Sequence, residues 1–407
     1  MAELSGATTM RNSSPQVERF VEGLKGEDLL VRLDWEQWLG LGAPYEKTGV
    51  TRRQVTTRYS RNGYEWDIHG SLYLPDVEVD PKLAFVVFHG GAGSENIFDT
   101  TPDGRPGLSR VLAAQGFKTL ALTYPGHWSP TEGGFWTQPV GERMPIYLLD
   151  RDLPLEETLD RNLKCTFNVI VQGAGQLVDE HLAGRKVIAF GHSTGGPMAA
   201  HLTRFAETIE VVGLVGFGSG GPDGWRRQWR LETGAEKTTI FPVDHLSRRS
   251  PTSFRSSGYE DPADLCPWGG AEEYIAWAAR TRSQMKTSLC DNQHMANVEI
   301  LGDYAQRTGL PREEYFDHLQ DPDPEWLKKI AVLLLVGDND KGHWLHGGDV
   351  IAHKREPWMG AKYRASGVRS AHVGVIARYG HVGYCELHNE KIAYLWLWAY
   401  EMGYFGV

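Results

Sequence analysis

"VIAFGHSTGGPMAA", Val187 to Ala200, runs from an apolar strand pattern through one serine between glycines into small apolar residues. Val187 to Phe190 reads as a short buried strand, and Pro197 to Leu202 as the first turns of a helix. Ser193 therefore sits on the corner, and Gly191 and Gly195 remove the β-carbons that would crowd so sharp a turn. A serine can also stand at such a place merely as a helix N-cap. Strand, turn and helix together favour the other reading, in which the corner thrusts its hydroxyl into a cleft, and Ser193 is the candidate nucleophile.

The same alternation extends to both sides. Upstream, "RRQVTTRYS" and "YEWDIHGSLYLP" joined by "RNG" read as a hairpin turning at Asn62-Gly63. "LAFVVFHGG", "GLSRVLAAQGF" and "KTLALTYPG" follow as strand, helix and strand, the unit of a parallel sheet. Leu155 to Leu182 has helical spacing, with Gly173 and Gly175 as candidate kinks, and leads into the Ser193 strand. Downstream, "VVGLVGFGSG", "IAVLLLVG" and "SAHVGVIARYG" supply three further strands. The fold class expected is α/β, with a mostly parallel central sheet flanked by helices.

The alternation lapses between Pro222 and Trp326, a segment carrying Trp225, Trp229, Trp268, Tyr274, Trp277 and Tyr304. It leaves the sheet at the carboxyl end of a strand, where ligands bind in open α/β folds, so residues 222–326 are expected to be an inserted lid. Residues 51–221 and 327–407 then form the core, and residues 1–50 an N-terminal extension. Positions 1 to 14 have the composition of a disordered arm. Pro15 to Leu41 carries short amphipathic helical patterns.

A chain of 407 residues with a formal net charge of -10 lacks the basic excess that phosphate binding requires, so no nucleic-acid partner is expected. Four widely spaced cysteines with no C-x-x-C pair read as buried free thiols. There is no H-E-x-x-H, no lysine in a phosphate-type glycine loop, and no helix after "GFGSGG", so neither a metal nor a cofactor is expected. The opening residues lack a charged and then apolar leader, and no stretch has the length and apolarity of a membrane span; the expected location is cytoplasmic, without a membrane partner.

A serine hydroxyl needs an imidazole to take its proton and a carboxylate to orient that imidazole. The loop "DNDKGHW" after Gly337 offers Asp338 and Asp340. Asp340 lies far enough into it to turn back toward a histidine, whereas Asp338 suits a loop cap. In "RYGHVGYCELH", His381 follows the last strand and precedes a helix expected near Glu386. The order Ser193, Asp340, His381 matches one known arrangement of the three groups and differs from that of the two main serine-protease classes. The oxyanion needs two amide donors, and the backbone N–H groups of Gly91 (with Ala92 in reserve) and Thr194 are placed to supply them. His127, Trp128, Phe135 and Trp136 are candidates to line the substrate pocket, or else to fill the core or lid.

"VVFHGGAGSENIFDTTPDGRPGLSRVLAAQGFKTLALTYPG", Val86 to Gly126, resembles a group of esterase-like α/β-hydrolases of bacteria and fungi, and the likeness to that superfamily extends from Arg52 to the C-terminus. The resemblance implies Ser193 as nucleophile, His381 as base, the Gly91 and Thr194 amides as oxyanion donors, and a pocket shaped by "TTPDGRPG". Some relatives take their acid from the loop after the sixth strand; here "GFGSGGPDGW" offers only Asp223, and Asp340 is favoured over it. The function expected is hydrolysis of a small, aromatic or flat carboxylic ester or lactone. Carbon-carbon cleavage of a diketone, amide hydrolysis and a noncatalytic binding role stand as alternatives. The aromatic "YLWLWAYEMGYF" leaves a homodimer contact open beside packing under the extension.

Overall fold

The computed structural model describes residues 15–90, 95–123, 164–193, 195–219, 306, 308–311, 314, 325–338, 340 and 355–407. The strands in chain order are β1 (Leu30–Leu33), β2 (Val50–Arg61), β3 (Tyr64–Pro75), β4 (Leu83–Phe88), β5 (Lys118–Thr123), β6 (Lys186–His192), β7 (Glu210–Phe217), β8 (Ala331–Gly337) and β9 (Ser370–Ile376). Among the described residues they form a nine-stranded sheet ordered β1-β9-β8-β7-β6-β4-β5-β3-β2. The β2–β3 and β3–β5 pairs are antiparallel, and the others are parallel. The β2–β3 hairpin turns at Asn62 and Gly63, whose φ values of 56° and 81° suit the turn their sequence predicts.

The central strands are apolar without interruption because both faces of the sheet are covered. In β4, Leu83, Phe85 and Val87 join one core cluster while Ala84, Val86 and Phe88 join the other. Alternate residues of β8 divide in the same way. One face carries helices α3 (Leu108–Ala114) and α7 (Glu390–Glu401) with the N-terminal segment. The other carries α4 (Phe167–Leu182), α5 (Gly195–Phe205) and α6 (Arg355–Ala365). These are the layers of the α/β-hydrolase fold.

Three local expectations change. Leu30, read with the helical patterns of the extension, begins β1, which pairs with β9 between helices α1 (Pro15–Gly23) and α2 (Trp35–Gly40). Four residues are too few for periodicity to separate strand from helix. α4 runs unbroken through Gly173 and Gly175, which serve close packing: a methyl at Gly173 would come 2.5 Å from Ile68 Cδ1, and one at Gly175 2.9 Å from the Phe205 carbonyl. The last helix starts at Glu390, since His388 adopts a φ of 66° that stops a helix from starting near Glu386.

The aromatic face of α7 is buried within the chain, with Trp396 wholly covered and Trp398 donating from Nε1 to the Gly42 carbonyl. Lys391 Nζ donates to the carbonyls of Leu39 and Leu41. The extension thus packs against the C-terminal helix. Cys165 and Cys385 are buried. No helix among the described residues is long and apolar enough to cross a membrane.

Candidate active site

β6 ends at His192, α5 begins at Gly195, and Ser193 makes the corner with a φ of 50°. A non-glycine residue in the left-handed region is strained, and the strain is held by packing around it. A methyl at Gly191 would come 2.5 Å from the Gly195 carbonyl oxygen, and one at Gly195 2.6 Å from the carbonyls of Phe88 and His89. The two glycines therefore let α5 start directly behind the strand. Gly90, two residues past β4, also lies close to the corner: a methyl there would come 3.0 Å from Ser193 Cβ. His89 Nδ1 donates to the Gly90 carbonyl and anchors the start of that loop.

Asp340 and His381 arrive from the loops after β8 and β9. His381 Nδ1 lies 2.7 Å from Asp340 Oδ2, with Asp340 wholly buried and His381 6 % exposed. A carboxylate accepts, so Nδ1 carries the proton, and in a neutral ring Nε2 is the nitrogen whose lone pair can accept another. Asp338 is engaged elsewhere: its Oδ1 accepts the Arg378 amide at 2.6 Å. That bond ties the two loops together from the strand ends. His372, earlier on β9, is buried between the Gly26 carbonyl and the Tyr404 hydroxyl, away from this pair.

Several groups that the sequence reading leaves out hold this arrangement. Gly218, just past β7, has a φ of 50° and faces the Asp340–His381 pair; a methyl on it would come 2.8 Å from His381 Nδ1 and 3.0 Å from Asp340 Oδ2. Within "GFGSGG", Gly218 is thus the position that accommodates the pair. Trp38 of α2 donates from Nε1 to the Tyr379 hydroxyl at 2.9 Å, and that hydroxyl donates to the Leu387 carbonyl. Burial raises the Tyr379 phenol well above its ordinary pKa, so it stays a neutral donor.

Arg105, in "TTPDGRPG", reaches the segment that follows His381. Its guanidinium donates to the carbonyls of Cys385 and Glu386 and to Asn389 Oδ1, while Asp103 pairs with it from the other side. Through these bonds the loop clamps the segment that follows His381. No periodic pattern joins positions 280 or so apart in the chain, which is why the contact could not be read from the sequence.

The sequence pattern of the alpha/beta hydrolase family matches residues 85–393, which span both the Ser193 corner and the His381 loop. The chain belongs to the alpha/beta hydrolase family. No curated protein sequence matches it. Among solved structures, this hydrolase-family chain is similar to a probable hydrolytic enzyme from Pseudomonas aeruginosa PAO1, with 12% identity, TM-score 0.45, and 81% of this chain and 88% of that chain covered. It is also similar to the epoxide hydrolase CorEH, at 14% identity and TM-score 0.44 over 86% of this chain and 100% of the other. A bromoperoxidase from Bacillus anthracis gives 12% identity and TM-score 0.44 over 85% and 100%. Likenesses at this level bear on neither substrate nor reaction.

Of the residues expected at the site, Ser193, Asp340 and His381 lie at the carboxyl ends of neighbouring strands β6, β8 and β9 or in the loops that follow, with β7 and Gly218 between. Gly91, Ala92, Thr194, Asp223, His127, Trp128, Phe135 and Trp136 lie outside the described residues, as does nearly all of 222–326. Among the described residues no cluster of three or more His, Cys, Asp or Glu side chains is disposed to hold a metal ion.

Proposed function

We propose that the protein is a serine hydrolase that cleaves a carboxylic ester or lactone of a small molecule through an acyl-enzyme. The observation that carries this reading is the strained Ser193 corner beside the buried, hydrogen-bonded His381–Asp340 pair. Family membership supports it, since the match spans all three groups.

In the proposed cycle, His381 Nε2 removes the Ser193 hydroxyl proton as Oγ attacks the substrate carbonyl. Asp340 holds the Nδ1–H tautomer and stabilises the imidazolium that forms. The tetrahedral oxygen is held by the backbone amides of Gly91 and Thr194, each worth roughly 3–4 kcal/mol of barrier in such a role. Gly90, in contact distance of Ser193, supports placing that loop over the corner. His381 then protonates the leaving alcohol, and water repeats the sequence on the acyl-enzyme. Residues 222–326 act as the lid in this account, and His127, Trp128, Phe135 and Trp136 line the pocket.

The test is acid release measured by pH-stat on a panel of aryl esters, lactones and diketones, with Ser193→Ala as control. An ester or lactone that yields acid with wild type alone supports the reading. A diketone as sole substrate, yielding acid and ketone, replaces ester hydrolysis with carbon-carbon cleavage.

A further inference from the structure

His192, the last residue of β6 and the neighbour of Ser193, has no part in the proton transfers described above, yet it touches the base. Its side chain is buried, with the ring tilted against His381 at 4.8 Å and edge-on to Tyr384 at 4.6 Å between centroids. His192 Nε2 lies 3.0 Å from the His381 carbonyl oxygen. A carbonyl only accepts, so Nε2 carries the proton and donates. In the neutral ring Nδ1 is then a bare lone pair, and it is buried without a partner among the described residues, against Gly90, where a methyl would come within 2.7 Å of it.

A buried nitrogen without a partner is unfavourable, and a phenylalanine would fill the same slot without that cost. What the imidazole adds over an apolar ring is the one bond its other nitrogen makes. Burial, reinforced by the adjacent His381, pushes the His192 pKa well below its ordinary value, so the ring stays neutral and brings no positive charge to the base.

We propose that His192 is a positioning residue, whose Nε2–H bond to the His381 carbonyl fixes the backbone of the base relative to the serine one step along the chain. The inference rests on reading Ser193 as nucleophile and His381 as base. Asp340 and His192 divide the work: Asp340 holds the His381 ring through Nδ1, and His192 holds its main chain. Because His192 and Ser193 are consecutive, any shift of the corner carries the histidine loop with it, and the two reacting groups stay in register.

The test uses the full-length protein and a fluorophosphonate probe, which modifies an activated serine by Oγ attack at phosphorus with loss of fluoride and needs no knowledge of the natural substrate. Three variants are compared: His192→Phe keeps the ring and removes the donor, His192→Gln places an amide N–H near the position of Nε2, and His192→Asn is one methylene too short to reach it. The expected result is a maximal inactivation rate about 10–100-fold lower in the Phe and Asn variants, with half-saturating probe concentration unchanged, and a Gln variant within about threefold of wild type. Circular dichroism and thermal melting identify any variant that fails to fold. If the Phe variant does not fold, the Asn and Gln pair carries the comparison.

Inactivation of the folded Phe and Asn variants at the wild-type rate overturns the proposal, and so does a folded Gln variant as slow as either. Ser193→Ala separates the underlying reading: labelling that persists in it, or no labelling of wild type, removes Ser193 as nucleophile. Labelling lost in Ser193→Ala but at full rate in His192→Phe leaves the nucleophile in place and removes only the role of His192.

Discussion

His381 Nδ1 and Asp340 Oδ2 stand 2.7 Å apart at the carboxyl end of the sheet, while Asp338, two residues earlier on the same loop, turns its carboxylate to the Arg378 amide. The two aspartates therefore predict different outcomes. Asp340→Asn is expected to lower kcat by roughly 10³–10⁴-fold, because an amide favours the wrong histidine tautomer. Asp338→Asn weakens a loop cap and costs about 1 kcal/mol of stability, with a much smaller effect on kcat. Steady-state kinetics and thermal unfolding of the two variants check the assignment.

Gly218 has no room for a side chain. Its φ of 50° and the 2.8 Å and 3.0 Å approaches to His381 Nδ1 and Asp340 Oδ2 predict that Gly218→Ala disturbs the pair directly. A backbone penalty of about 1–2 kcal/mol comes from the left-handed conformation. Displacement of the pair by even a fraction of an ångström lowers kcat by roughly 10–100-fold. Kinetics together with a melting curve separate the two effects, since the loss of rate exceeds what the loss of folded protein explains.

Arg105 clamps the chain after His381 by bonds to Cys385, Glu386 and Asn389. Arg105→Ala is expected to destabilise the protein by roughly 1–3 kcal/mol and to speed amide exchange selectively in residues 381–389. Hydrogen exchange read by mass spectrometry shows whether the loosening is confined to that loop. Arg105→Lys recovers only part of the loss, because an ammonium does not reproduce the planar fork.

The corner and the succession of strands β2 to β9 along the chain are legible in the sequence because each rests on local patterns: apolar runs of strand length, glycines two residues from a serine, and an Asn-Gly turn. Asp340 and His381 were legible as candidates because loops after β8 and β9 are the places from which side chains reach the end of β6. What was not legible depends on contacts between distant segments. Nothing near Arg105 marks Asn389 as its partner, and Leu30 to Leu33 is too short a run to announce a strand. Nothing in the glycine run around Gly218 names the groups it faces, and nothing around His192 marks the His381 carbonyl as its partner.

Away from the site, Glu314 accepts bonds from Arg61, Asn62 and Thr166 at the turn of the β2–β3 hairpin. Burial raises its carboxyl pKa, but the bonds from Arg61, Thr166 and Asn62 outweigh burial and leave it below the usual carboxylate value. A carboxylate whose folded pKa is depressed stabilises the fold above its unfolded pKa, and that contribution is lost as pH falls through the folded value. Glu314→Gln is therefore expected to cost roughly 1–3 kcal/mol near neutral pH. The gap between wild type and variant should narrow as pH falls below about 4.5, as followed by urea unfolding across that range.

In the proposed cycle Ser193 carries an acyl group during turnover. Stopped-flow hydrolysis of a p-nitrophenyl ester that the protein accepts tests it most directly, with wild type and Ser193→Ala compared at the same enzyme concentration. The expected result is a burst of nitrophenol equal to the wild-type enzyme concentration, and neither burst nor steady-state turnover above the uncatalysed rate from the variant. A Ser193→Ala protein that turns over the ester at the wild-type rate would contradict it.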